Sequence, residues 1–213
     1  MTDLLFVRHG ETRGNALGTW QGWSDPPLNS TGQAQAHAVA ERLTPERGRI
    51  GALYTSPLRR SLETAQVIGE QLDLEPQAMD QLKEIHFGRL EGTSLADMED
   101  QFPKLYAQWQ DRRNMAFQWP GGERRLDFFE RAAKACDQIL ALHRNDVVVI
   151  VSHGGTIRAC LAHLVPDRMG EWWTYNLDNA GLSRVVATEN GFDVLALNDT
   201  AHLPRKAGQS ALE

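Results

Sequence analysis

Short, wholly apolar runs alternate along this chain with longer segments whose apolar residues return every three or four positions. Leu4 to Val7 is the first such run; it ends in Arg8-His9-Gly10 and so predicts a buried strand opening into a loop. A polar loop with Asn15, Trp20, Gln21, Trp23 and Pro26-Pro27 follows. Ser30, with Gln33 three residues on, has the spacing of a capping box and predicts a helix from there to Leu43, stopped by Pro45. Ala52 to Thr55 predicts the next strand. Ser56 as N-cap with Pro57 at the first helical position then starts a helix whose face is Leu58, Leu62, Ala65 and Leu72.

The second half repeats the alternation. Residues 93–122 are the least regular and are expected to form a helical excursion that covers a pocket, closed by Pro120-Gly121-Gly122. Leu126, Phe129, Ala133, Cys136 and Leu140 then trace an amphipathic helix. The five β-branched residues Val147 to Val151 predict a central strand, ended by Ser152-His153-Gly154-Gly155, and a helix reaching Leu164. Leu182 to Thr188 and Asp193 to Leu197 flank Asn190-Gly191, a hairpin signal. Strands alternating with helices at this spacing predict an α/β fold on a mainly parallel sheet with an antiparallel edge strand. The expectation is one domain over residues 1–213 with a mobile tail from about Pro204.

Composition adds limits rather than a function. The 213 residues are 41% apolar and 23% charged, as in an ordinary globular domain. A net charge of −6 argues against nucleic acid as a partner, so any anionic substrate must meet a local cluster of cations. Neither a signal-peptide pattern nor an apolar stretch long enough to span a membrane is present, and Cys136 and Cys160 read as reduced core residues. The expected setting is cytoplasmic, without membrane, metal or cofactor. Oligomeric state, a homodimer included, stays open.

Three predicted strand ends carry unusual residues: Arg8-His9-Gly10, Ser56 to Arg60, and Ser152 to Gly155. Parallel neighbouring strands would bring all three to the edge where open α/β sheets bind ligands. Arg59 and Arg60 fall in the first turn of a helix, where the dipole disfavours cations; with Arg8 nearby they call for an anion, and guanidinium forks match phosphate. Backbone N–H groups at the helix starts after Ser56 and His153 would add donors. Gly10, Gly154 and Gly155 leave room for close approach. An imidazole is a competent nucleophile toward phosphorus, which suits His9 beside Arg8, while His153 at a helix start suits phosphate holding. Glu84, before a Gly turn, could supply the leaving group's proton.

These motifs resemble the histidine phosphatase superfamily in its phosphoglycerate-mutase-like branch. The likeness runs from Leu5 to Thr12 with Asn15, through Thr55 to Arg60 and Glu84 to Gly88, to Val151–Gly155, and takes in Pro120 to Glu123 and Leu197 to Leu203. It implies that His9 is the phosphorylated residue and Glu84 the proton donor and acceptor. It likewise implies that Arg8, Arg60 and His153 form the phosphate pocket, and that Asn15, Gln21 and Gly22 are further phosphate or substrate contacts. The implied fold is a three-layer α/β/α sandwich with no metal. Glycolytic mutases of the branch carry an Arg- and Pro-rich insertion that is missing here, where residues 93–122 hold only Pro103 before the closing Pro120, and they tend to have Thr at the place of Gln21. Both departures favour a phosphomonoesterase acting on small phosphorylated metabolites over a cofactor-primed phosphoglycerate mutase. A non-catalytic phospho-ligand binding module would need the arginines but neither His9 nor Glu84.

Overall fold

A computed structural model of the chain describes residues 1–165 and 171–204. The tail expected from about Pro204 therefore lies, past that residue, outside the described residues.

Six strands form one sheet: β1 (Asp3–Arg8), β2 (Ile50–Thr55), β3 (Gln77–Ala78), β4 (Val147–Ser152), β5 (Leu182–Thr188) and β6 (Gly191–Asp199), in the order β3-β2-β4-β1-β5-β6. β1, β2, β3 and β4 run parallel; β5 and β6 form an antiparallel hairpin on one side. All six residues of β4 are buried, as a strand covered on both faces must be.

The period-two alternation of the strands sorts their side chains into two cores. Leu5, Val7, Leu53, Val147, Val149 and Val151 face one side, where they meet helices α2 (Ser30–Leu43) and α3 (Arg59–Leu72). Leu4, Phe6, Tyr54, Val148 and Ile150 face the other, against α6 (Arg125–Leu142) and α7 (Gly154–Leu164). The result is the three-layer α/β/α sandwich. A one-turn helix, α1 (Arg13–Ala16), and the excursion helices α4 (Leu95–Gln101) and α5 (Pro103–Gln110) complete the described set.

Three boundaries differ from expectation. Asn29, not Ser30, caps α2, its side chain accepting from the Gly32 amide. Ser56 does not cap α3: its Oγ accepts from the Leu58 amide inside a tight turn, and the helix begins only at Arg59. That shift frees the Ser56 hydroxyl for His153. In α6 the buried stripe is Phe128, Phe129, Ala132, Ala135, Cys136 and Ile139, about one position away from the predicted one. Leu126, Ala133 and Leu140 sit on its margin, because the helix is buried over a wider arc than five positions trace. Cys136 and Cys160 are both buried and free.

Candidate active site

The pairing register sets the carboxyl ends of β1, β4 and β2 side by side, with Arg8 opposite Ser152 and Val151 opposite Thr55. The next residues, His9, His153 and Ser56, therefore share one sheet edge. Above it opens a cavity of about 550 Å³ whose wall includes Arg8, His9, Asn15, Gln21, Gly22, Arg60, Glu84 and Gly154. Of the expected site residues only His153 is absent from that wall. It is wholly buried, with its ring edge-on to His9 at 5.1 Å between centroids.

Backbone geometry fixes the protonation of His9. Its Nδ1 lies 2.7 Å from the Gly10 carbonyl oxygen, which can only accept, so Nδ1 carries the proton and the neutral ring keeps its lone pair on Nε2. Burial, then Arg60 and Arg8, hold this imidazole well below its ordinary pKa. The ring is thus a neutral base at physiological pH. His153 is depressed in the same way by burial and then by Arg60, His9 and Arg8. Its Nε2 is 2.8 Å from the Ser56 hydroxyl and 3.3 Å from that of Ser61, while its Nδ1 has no hydrogen-bond partner.

The two arginines are held by main chain rather than by carboxylates. Arg60 is 1% exposed and donates from Nη1 to the Ser24 carbonyl at 2.8 Å and from Nη2 to the Gly22 carbonyl at 2.7 Å. Arg8 donates from Nη1 to the Leu177 carbonyl at 2.6 Å; burial and then Arg158 push its pKa down to about 10, against the opposing pull of Glu84 and Asp178. The Nε of each is buried with no partner. Arg59, by contrast, turns outward to an exposed pair with Glu63. Buried polar groups are nearly always hydrogen-bonded, so three orphaned nitrogens (Arg8 Nε, Arg60 Nε and His153 Nδ1) around one histidine point to a ligand with several acceptor oxygens.

Glu84 follows a 3-10 turn at Asp80–Leu82 and its carboxylate is anchored at both ends, Oε1 accepting from the Ile85 amide at 2.9 Å and Oε2 from the Gly155 amide at 3.0 Å. One N–H at each helix start is thereby committed within the protein, that of Gly155 in α7 to Glu84 and that of Arg59 in α3 to Asp25. Gly154 lies against the guanidinium groups of Arg8 and Arg158. Asn15 accepts with Oδ1 from Thr12 and from Asn179, and Gln21 accepts from the Thr12 hydroxyl. The Gly22 carbonyl is committed to Arg60, so this residue shapes the cavity by orienting that arginine.

Sequence reasoning missed a second group of cations on the same wall: Arg112, Arg125 and Arg158. Arg158 lies one helical turn after Gly154, so i,i+4 spacing could have shown it. Arg112 gave no local signal; its guanidinium stacks 3.3 Å above the Trp109 ring, and burial and then Arg125 and Arg158 bring its pKa down to about 10. Arg125 instead donates to the carbonyls of Trp109, Asp111 and Asn114, tying the excursion to α6. The aromatics divide: Phe117 is core, Trp119 is buried in the core with an edge on the cavity, and Trp20 and Trp109 are half-buried wall. Among the described residues, no group of His, Cys, Asp and Glu is placed to hold a metal ion.

The chain is similar to phosphatases over nearly its whole length. The chain is 32% identical over 204 residues to phosphoserine phosphatase 1 of Hydrogenobacter thermophilus, covering 95% of each. It is 32% identical to a metal-independent phosphoserine phosphatase of Arabidopsis thaliana, over 95% of this chain and 84% of that one. A crystal structure of phosphoserine phosphatase from Entamoeba histolytica with phosphoserine superimposes with a TM-score of 0.85 at 28% identity, over 96% of this chain and 100% of that one. Residues 4–200 match the family described as the histidine phosphatase superfamily, branch 1, and the chain belongs to it.

Proposed function

We propose that this protein is a metal-independent phosphatase of small phosphorylated metabolites that works through a phosphohistidine on His9. The observation that carries the reading is the pairing of a neutral, buried His9, its Nε2 lone pair available, with the three orphaned nitrogens beside it. In the first step, His9 Nε2 forms a bond to phosphorus as the ester P–O bond breaks, and protonated Glu84 delivers its proton to the departing oxygen. In the second, Glu84 takes a proton from water, the water oxygen bonds to phosphorus, and the Nε2–P bond breaks to release phosphate. Arg8, Arg60 and His153 grip the equatorial oxygens, where charge gathers in a loose transition state. Asn15, Gln21, Gly22 and Gly154 shape the wall around that group.

The substrate we favour is a phosphomonoester carrying a carboxylate, as in phosphoserine or phosphoglycerate. Phosphoserine phosphatases are among the relatives, and 3-phosphoglyceric acid is bound in a structure of the Entamoeba enzyme. Within this chain, Arg158, which meets Arg8 at Gly154, and Arg112, stacked on Trp109, add positive charge to the same wall beyond the groups assigned to the phosphoryl oxygens. We place the protein in the cytoplasm, in keeping with its two free buried thiols; among the described residues no helix is long and apolar enough to cross a membrane. The test is phosphate release from a panel of phosphoesters, with trapping of a phosphoenzyme that is stable to base and labile to acid. Primer-dependent isomerisation of phosphoglycerate with negligible hydrolysis would instead make the protein a mutase.

A further inference from the structure

Glu91 lies outside every motif that pointed to phosphate chemistry and does not line the cavity. Its carboxylate nevertheless gathers one short loop. Oε1 accepts from the Trp23 amide at 2.9 Å, and Oε2 accepts from the Ser24 amide at 2.9 Å and the Ser24 hydroxyl at 2.6 Å. The glycine before them is packed so closely that a Cβ at Gly22 would overlap this carboxylate, and its φ of 52° is one that a side chain rarely tolerates.

The same loop faces the site with its carbonyls. Gly22 and Ser24, on either side of Trp23, are the two residues whose oxygens hold the Arg60 fork, at 2.7 and 2.8 Å. Between them the Trp23 indole N–H donates to the Glu84 carbonyl at 2.8 Å. One carboxylate therefore holds the Trp23 amide, whose peptide unit carries the Gly22 carbonyl, and both donors of Ser24, the residue that offers the second carbonyl to the buried guanidinium; the Ser24 amide also donates to the Gln21 carbonyl at 2.9 Å, and the intervening indole braces the main chain of Glu84. Three donors on one anionic group form the stronger kind of hydrogen bond. Glu91 keeps only 15% of its side chain exposed, so solvent competes little for it.

From this geometry we infer that Glu91 is a positioning residue for phosphate binding, acting through the Gly22–Ser24 loop on Arg60. Its Coulombic influence agrees in sign: burial lowers the Arg60 pKa, and Glu84, Asp25 and Glu91 oppose that. The inference rests on the phosphatase reading, because it assumes that Arg60 grips the phosphoryl group. A glutamine at this position offers one acceptor oxygen in place of two and turns an N–H2 group toward the Ser24 donors. The loop can then no longer present both carbonyls in one place.

The test compares wild type with Glu91→Gln, Arg60→Ala and the double variant. The readouts are kcat and KM on p-nitrophenyl phosphate, orthovanadate affinity by calorimetry, and thermal unfolding. Glu91→Gln is expected to weaken vanadate binding and lower kcat/KM by about tenfold to hundredfold, the cost of disturbing charge-assisted hydrogen bonds, with most of the kinetic loss in KM. In the Arg60→Ala background the same change is expected to cost less than about threefold, because its target is gone. Glu91→Asp, which keeps both oxygens on a shorter arm, stands in if the glutamine variant does not fold. Wild-type vanadate affinity in a folded Glu91 variant, or losses that simply multiply in the double variant, would overturn the inference. Vanadate that binds wild type without any ester being hydrolysed would count against the phosphatase reading while leaving the loop's role open to the same binding comparison.

Discussion

Glu84 reaches across the cavity floor to the amide of Gly155, 3.0 Å from its Oε2, so the group assigned to proton transfer is seated on the first turn of α7. The fit leaves no room for a methyl group: a Cβ at Gly155 would overlap the Glu84 carboxylate, the mobile end of a flexible side chain. Gly155→Ala is therefore expected to displace that carboxyl rather than unfold the protein. The expected result is a fall in kcat of about 10²-fold or more on a poor leaving group, and a smaller fall on p-nitrophenyl phosphate, whose leaving group needs little protonation. Equal losses on both esters would sink the acid role.

His9→Ala is expected to lower kcat/KM by about 10⁴-fold or more and to abolish phosphoenzyme trapping, since among the described residues no other His and no Cys, Ser or Lys lines the cavity. Circular dichroism should remain that of wild type. Residual turnover within tenfold of wild type would reassign the nucleophile.

The two buried imidazoles make stability depend on pH in a definite direction. In the folded protein both stay neutral well below pH 6.5, because burial and then neighbouring cations disfavour their charged forms. In the unfolded chain each takes up a proton near 6.5. The unfolded state therefore binds more protons as pH falls through that value, and stability, complete above it, declines below it. Each histidine contributes up to about 1.4 kcal/mol per pH unit in that window. Urea unfolding between about pH 7.5 and about pH 5 should show the decline, and His153→Asn should make it shallower. A flat profile in wild type would show that the imidazoles are charged in the fold.

Arg112 and Arg113 adjoin in sequence but not in setting: the first lines the cavity above Trp109 and the second is exposed. Arg112→Ala is expected to raise KM for phosphoserine about tenfold with little change for p-nitrophenyl phosphate, which has no carboxylate. Arg113→Ala should leave both within about twofold. A uniform effect of Arg112→Ala on the two esters would remove the case for a carboxylate contact.

Most of the scaffold could be read from the chain because its signals are local. Val147 to Val151 could only be a doubly covered strand, and the turn at Asn190-Gly191 could only join a hairpin. The residues proposed to grip phosphate were legible too, since Arg8, His9, Arg60 and His153 each sit within a few residues of a strand end. What stayed hidden depends on contacts between distant segments. Ser56 was read as a helix cap because Ser-Pro is a start signal, yet its hydroxyl meets His153 across 97 positions. Arg112 stacks on Trp109 three residues before it, but reaches the cavity wall only because the excursion packs on Trp20 and is held by Arg125, and nothing in the local pattern around Asp111 to Met115 announces that. Glu91 was invisible for the same reason, because its partners are Trp23 and Ser24, more than sixty residues earlier.

The excursion over residues 93–122 meets the rest of the molecule largely through aromatic packing and the carbonyls of Trp109, Asp111 and Asn114 that Arg125 gathers. None of the groups that would handle phosphorus belongs to it. Substitutions there can redraw the shape offered to a leaving group while the reacting centre stays as it is, so one catalytic engine could be refitted for new esters by changes confined to a single stretch of chain.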